Sequence, residues 1–511
     1  MQRKQLTLVI VSLLVVVLSV SLAWFTTQII GKGKTVDVSS ANLQIVFTDS
    51  DGALTETDIE PGWSATKTFT IKNDTKTEYK YNIVIKDLLN TFVTTGYLQY
   101  KITSTNDGYN MTEFKDIPKS SIATDTILAY SVVIPNGVTQ SYTIEFKYAN
   151  DESVDQSDDM GKKLSGTLFI TEGTEDIYAG YEEGTLGYQI MGDNPTRETR
   201  NTYNAVFTNN TTGTLFTATE KNVHSIADTT VYYYAGNTTK NWVKFAGYYW
   251  RIIRTNADGS VRMLYSGTEA EGTTGTNGMI NTSTAFNSTY NNPMYVGYMY
   301  GTSGSLVNNR TNTKNSTIKD KIDTWYAQNM TSYTKYLSTT AVYCNDRTEQ
   351  TSGTYNTGNT AFYYAPYARV YTNYTPTYDC TEASDAFSGS NTSAKLTYPI
   401  ALMTADEIMR AGGKGSTNLT SPYAWYYLNS ANGSITGSTW WWLLSPGYWL
   451  GSRAYVFHVR GSSRPGLLND NYVGSTDGVR PAISLKSCVK TSGGDGSASD
   501  PYTIEETETG C

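Results

Sequence analysis

Histidine is almost missing: the 511 residues hold two, His224 and His458. That excludes a His-rich metal site, and with it most catalytic zinc chemistry, which wants imidazole ligands. Cysteine is scarce too, with four in the chain and none before Cys344. Charge is low at 17%, against ~25% in an ordinary soluble domain. The formal net charge of −8 argues against a nucleic-acid partner, which needs a basic stripe. After Arg3, arginine is absent until Arg197. No long apolar run follows the first 25 residues. Thr, Ser, Asn and Gly stand where charge is missing, with 41 Tyr, 14 Phe and 10 Trp. That many aromatics suffices for packed cores and excludes a disordered chain.

The start of the chain addresses it outward. Residues 6–25 are apolar but for Thr7, Ser12, Ser19 and Ser21, and Arg3 and Lys4 precede them. Twenty such residues span a bilayer. Small residues at Ser21 and Ala23 also suit signal cleavage. Residues 1–25 therefore read as signal peptide or membrane anchor, and both place the rest outside the cell. In an exported chain an even cysteine count suggests disulfides. Sequence neighbours would pair Cys344 with Cys380 and Cys488 with Cys511, although four cysteines allow three connectivities and Cys511 can also be read as free.

Composition divides the remaining chain. Residues 26–172 read as short strands with turns: 142–148 alternate apolar and polar with period two, and 43–47, 66–71, 79–85, 97–103, 127–134 and 164–170 behave alike. Pro61-Gly62, Asp107-Gly108 and Pro135-Asn136-Gly137 punctuate them. Seven strands predict an antiparallel sandwich or jelly roll. Residues 173–239 read as linker and polar irregular segment. Residues 240–486 predict an α+β domain, and 487–511 a tail. Within 240–486, 242–245, 248–254 and 261–265 are strand-like. Ile318, Ile322 and Trp325 share a helix face with Thr317 as N-cap. Thr404-Ala-Asp-Glu407 is a capping box that opens a second helix ending near Gly412-Gly413. The whole is mainly β.

These stretches carry two resemblances. Ser21-Leu-Ala-Trp-Phe25, Ala41-Asn-Leu-Gln-Ile-Val-Phe47, Ile59-Glu-Pro-Gly-Trp63 and Thr68-Phe-Thr-Ile-Lys-Asn73 resemble the TasA/camelysin family of Gram-positive biofilm-matrix proteins. That likeness implies a jelly-roll module able to self-associate by lending its N-terminal strand, here residues 24–38. Some family members carry a metallopeptidase label, but no HExxH is present. Trp250-Arg-Ile-Ile-Arg254, Leu402-Met-Thr-Ala-Asp-Glu-Ile408, Trp441-Trp-Leu-Leu-Ser-Pro446 and Gly478-Val-Arg-Pro481 resemble a domain of Firmicute surface proteins. More distantly, they are similar to the C-type-lectin-like fold of formylglycine-generating enzymes, shared by target proteins of diversity-generating retroelements. No reactive-cysteine motif for formylglycine chemistry surrounds Cys344, Cys380, Cys488 or Cys511.

In retroelement targets the interval between the last two motifs carries ligand contacts. Here it holds Tyr448, Trp449, Arg453, Tyr455, His458, Arg460 and Arg464, the expected ligand-binding set. Tyr and Trp offer rigid amphipathic area and Arg a forked donor. With no acid between 448 and 468 the stretch is a basic patch, suited to an anionic wall polymer, an acidic glycan or another surface protein. About half of its aromatics are assigned to packing, because alternate strand residues face inward. Trp440, Trp441 and Trp442, being consecutive, cannot all face one way. The acidic run Asp151, Glu152, Asp155, Asp158 and Asp159 is the one place where calcium would fit; it lacks EF-hand spacing and reads as a solvated loop. No catalytic residue, resident metal or other cofactor is expected. The reading is a non-enzymatic, exported surface protein displaying a lectin-type recognition domain. Its rival is a matrix or fibre protein polymerising through the first module.

Overall fold

Period-two sequence becomes sheet throughout. The computed structural model describes residues 35–40, 43–49, 54–56 and 60–511, apart from 75, 95, 175, 271–275, 351–353, 420–424 and 428–435. The leader over residues 1–25, and residues 24–34 of the expected donor strand, lie outside the described residues. Two units result, Met1–Asp176 and Ile177–Cys511.

In the first unit the expected strands are all found, several of them longer. One sheet runs Thr35–Ser40, Leu43–Asp49, Ser64–Asn73, Thr139–Tyr148, Leu98–Ser104, Lys115–Asp116; the other runs Leu54–Glu56, Leu164–Glu172, Tyr79–Asn90, Ser120–Ile134. Every pairing is antiparallel. Tyr142, Ile144, Phe146 and Tyr148 point inward and meet Ile83, Ile85 and Phe169 of the other sheet in one core. Buried polar groups there are paired, as burial demands. Tyr81 donates to Gln140 Oε1 at 2.5 Å, and Gln140 Nε2 donates to the Val133 carbonyl at 2.9 Å.

The second unit absorbs two stretches that read as irregular. Residues 177–239 supply the helix Leu186–Asp193, capped by Thr185, and the paired strands Thr214–Asn222 and Ser225–Tyr233. From the expected tail, Tyr502–Ile504 adds in parallel to Trp242–Phe245. Leu186, Ile190, Leu215, Val489 and Tyr502 lie in the main core of this unit. Threonine and asparagine dilute the apolar pattern in these stretches, which is why their sequence looks like a linker. Further in, Tyr248–Thr255 pairs with Trp242–Phe245 and Val261–Tyr265, and the latter with Pro481–Leu485. A second sheet joins Asn281–Ala285, Thr476–Val479, Trp441–Trp449, Ala454–Val459 and Leu468–Tyr472.

The helices form where expected. Thr317–Asn329 takes Ser316 as N-cap, one residue before the expected one, because Ser316 Oγ accepts from Lys319 N. Ala405–Ala411 has the full Thr404/Glu407 capping box and ends at Gly412, whose φ of 124° only glycine adopts readily. Cys344 is bonded to Cys380 and Cys488 to Cys511. Two disulfides in a β-rich protein fit an oxidising, extracellular compartment. Among the described residues no helix is long and apolar enough to cross a membrane.

Candidate functional site

The strand Ala454–Val459 lies between Trp441–Trp449 and Leu468–Tyr472, with Tyr455 opposite both Tyr448 and Tyr472, and Phe457 opposite Asp470. Bulges in Trp441–Trp449 around Pro446 re-aim its last residues, as bulges do. Phe362–Tyr363 extends the sheet beyond Trp449 and Tyr448. The chain then turns through the helical segments Ala365–Ala368 and Arg369–Asn373. This brings a second set of tyrosines over the sheet.

The result is a platform of five half-buried tyrosines around one carboxylate. Tyr448 and Tyr455 stack with centroids 4.4 Å apart. Tyr367 packs against Tyr363 at 4.5 Å, Tyr371 at 4.8 Å and the Tyr448 edge at 5.4 Å. Asp470 holds two of them: its Oδ1 accepts from the Tyr448 hydroxyl at 2.6 Å and its Oδ2 from the Tyr371 hydroxyl at 2.7 Å. Burial, then the Asp470 charge, pushes the Tyr371 phenol well above its ordinary value. Burial and the hydrogen bond to Asp470 do the same for Tyr448. Both therefore stay neutral donors, and the rings are fixed in place.

Beside the platform, Arg453 is exposed at a hairpin tip with its guanidinium 4.8 Å from the Tyr472 ring. Tyr472 meets Tyr290 edge-on at 5.5 Å, and Tyr290 and Leu450 are both exposed. Arg460 lies 4.1 Å over Trp440. Burial and the neighbouring Arg464 charge lower its guanidinium below the usual arginine value. Arg464 itself is exposed.

The expected set therefore splits. Tyr448, Arg453, Tyr455, Arg460 and Arg464 reach the surface in full or in part. Trp449 and His458 do not. Trp449 is 1% exposed and donates to the Gly358 carbonyl at 2.8 Å. His458 is fully buried, with Nδ1 2.8 Å from Asp477 Oδ2 and its ring against Trp440 and Trp442. Both faces of this sheet are covered there, so alternation does not leave one side to solvent. The patch is also less basic than its sequence suggests, because Asp470, two residues past the stretch, sits at its centre. Tyr363, Tyr367, Tyr371 and Asp470 are outside the expected set. The i, i+4 spacing of Tyr367 and Tyr371 is the available signal that these two share a helical face, while Tyr363 joins them from the preceding strand.

Of the tryptophan run, Trp441 and Trp442 are fully buried and Trp440 is half-buried. Trp442 Nε1 donates to the Thr284 carbonyl at 2.8 Å, and Arg480 lies over Trp441. In the acidic run, Asp159 is buried rather than solvated. It accepts from Val93 N at 2.6 Å, Thr94 N at 3.2 Å and the Tyr148 hydroxyl at 2.8 Å. Asp151 and Asp155 accept from Ser153 and Ser157 within local turns. Among the described residues no group of three or more His, Cys, Asp or Glu is placed to hold a metal ion.

Comparison with protein-family models, curated proteins and solved structures gives no significant match in any of the three.

Proposed function

We propose that the chain is an exported surface protein whose second unit, a lectin-type domain, recognises an external ligand through the tyrosine platform, and whose first unit is a jelly-roll display module. The observation that carries this reading is the Asp470-anchored cluster of Tyr363, Tyr367, Tyr371, Tyr448 and Tyr455. Five partly exposed rings are packed against one another, and Asp470 pins two of them, Tyr371 and Tyr448, through their hydroxyls. Fixed aromatic faces suit the apolar face of a sugar, and they lose little rotamer entropy on binding. Asp470 disfavours a polyanion at the centre, leaving Arg453, Arg460 and Arg464 for acidic groups at the rim. A glycan bearing acidic substituents is the ligand class this supports.

The test is binding of residues 26–511 to a glycan array and to whole cells. Tyr455→Ala and Arg453→Ala should each weaken binding about tenfold, the scale of an aromatic or arginine hot spot. Unchanged binding by the double variant would remove the platform from the reading. The matrix-protein rival predicts filaments whose length grows with protein concentration. Val38 of the expected donor lies in Thr35–Ser40, which pairs with Leu43–Asp49 of the same chain.

A further inference from the structure

A groove of about 410 Å³ opens elsewhere on the second unit, lined by none of the platform residues. Three segments wall it: residues 179–182, the strand Ser225–Tyr233 through Thr229, Thr230 and Tyr232, and the Ser487–Cys488 corner. Its floor is the turn at residues 255–257 and 259. The volume lies in the ~300–1,000 Å³ range of small-molecule sites.

Its walls are pinned to one another. The Tyr181 hydroxyl donates to the Gly259 carbonyl at 2.9 Å, and Leu186 N to the Val489 carbonyl at 2.9 Å. Arg197 donates to the Ile177 carbonyl at 2.7 Å while its guanidinium lies 5.3 Å from the Tyr232 ring. The Cys488–Cys511 bond ties the far corner. At the rim Ala179 has φ of 53°, a left-handed conformation that residues other than glycine rarely adopt.

The lining chemistry selects a ligand class. No lysine or arginine is among the lining residues, and the nearby Arg197 is engaged with the Ile177 and Met191 carbonyls. Two tyrosines, hydroxyls of Thr229, Thr230 and Ser487, and the exposed carboxylate of Glu182 suit a ligand with an apolar ring face and donating hydroxyls. On the floor, the buried Asn256 side-chain amide donates to Ser260 and Ser484 Oγ atoms, while its oxygen has no partner. Turning the amide over only moves the deficit to its nitrogen. An unmet buried polar atom is costly, and it marks the floor beneath the groove as a place where the fold carries unrelieved polarity.

We propose that this groove is a second ligand site, independent of the platform, that takes a neutral sugar or a short neutral glycan. Saturation-transfer NMR on residues 26–511 with cellobiose and N,N′-diacetylchitobiose as probes tests it. Transfer to the sugar ring protons is expected. In a Tyr455→Ala background, which disrupts the platform, Thr230→Trp and Ser487→Trp, exposed positions on opposite walls, should each abolish that transfer while leaving the circular-dichroism melt unchanged. Tyr455→Ala on the platform should leave the transfer intact. Absence of transfer from both sugars, or transfer that survives both tryptophan variants, overturns the proposal.

Discussion

Glu407 offers the sharpest test of how the second unit is held. Its Oε1 receives Arg262 Nη1 at 2.7 Å and Arg254 Nε at 3.1 Å, and its Oε2 caps Thr404 N at 2.9 Å. All three charged side chains are at most 3% exposed. Arg254 has a second carboxylate, Glu220 at 2.6 Å. Among the described residues Arg262 has none other, only the Val342 carbonyl and the Tyr343 ring. Glu407→Gln keeps the shape, and glutamine still serves a capping box. The substitution removes the charge, leaving two buried guanidinium groups against one carboxylate. Breaking a buried pair in this way costs ~3–5 kcal/mol. Thr404→Ala, which removes the cap and no charge, should cost ~1 kcal/mol. Urea unfolding followed by tryptophan fluorescence measures both, since every tryptophan except Trp24 and Trp63 lies after Asp176. Adding Arg262→Met to Glu407→Gln should recover part of the loss, because an apolar replacement removes the unpaired charge. If Glu407→Gln costs no more than Thr404→Ala, or if Arg262→Met adds to the loss, the charge cluster is not what holds these elements.

The same geometry sets other outcomes. Burial pushes the Glu407 carboxyl up, but Arg262 and Arg254 outweigh it and hold it below its ordinary value. Arg369 does the same for Asp346. A carboxyl depressed on folding stabilises above its unfolded pKa of ~4 and loses that contribution as pH falls further. Urea midpoints should therefore fall below pH ~4, and less steeply in Glu407→Gln. Asp323, raised chiefly by burial, works in the opposite direction. Trp449→Ala should destabilise by ~3–5 kcal/mol, the cost of emptying a core aromatic site. Arg453→Ala should leave stability unchanged and weaken only ligand binding; equal melts for the two variants would contradict the burial of Trp449. The bridged cysteines are separated by 36 and 23 positions. On loop-closure entropy, replacing either pair by serine should cost ~3–4 kcal/mol, read as a shift of the urea midpoint against the oxidised protein.

Sequence is legible where structure is local. The seven expected strands and both capped helices are written in short-range pattern, in runs such as 142–148 and in Thr404 with Glu407. Site residues are half legible. Tyr448 and Tyr455 can be found because they flank a hairpin, but their partners come from residues 363–371, some 80 positions earlier. Nothing local announces that Phe457, on a face alternation would leave open, is roofed by Tyr371 at 5.6 Å. His458 and Trp449 turn inward for the same reason: the sheet has cover on both sides. Asp470 escapes notice because it lies just beyond a stretch judged by its own charge.

The boundary at residue 240 is where sequence and structure differ most, and that difference can be tested. A chain of residues 240–486, cut where composition suggests a domain, would lack Leu186, Ile190, Met191, Leu215, Tyr234, Val489, Tyr502 and Ile504, all at most 4% exposed in the main core. Burying each such side chain is worth ~1.5–3 kcal/mol, so the loss reaches or exceeds the ~5–15 kcal/mol by which a domain is stable. It would also strand Arg254 without Glu220 and remove the Cys488–Cys511 bond. A chain of residues 177–511 keeps all of these. Hydrogen exchange should show slow amides in Tyr248–Thr255 and Val261–Tyr265 of the longer chain and fast exchange throughout the shorter one. Comparable protection in both would mean that the flanking segments merely lie on the domain. They would then not be part of its core, and the groove they wall would lose its rigid frame.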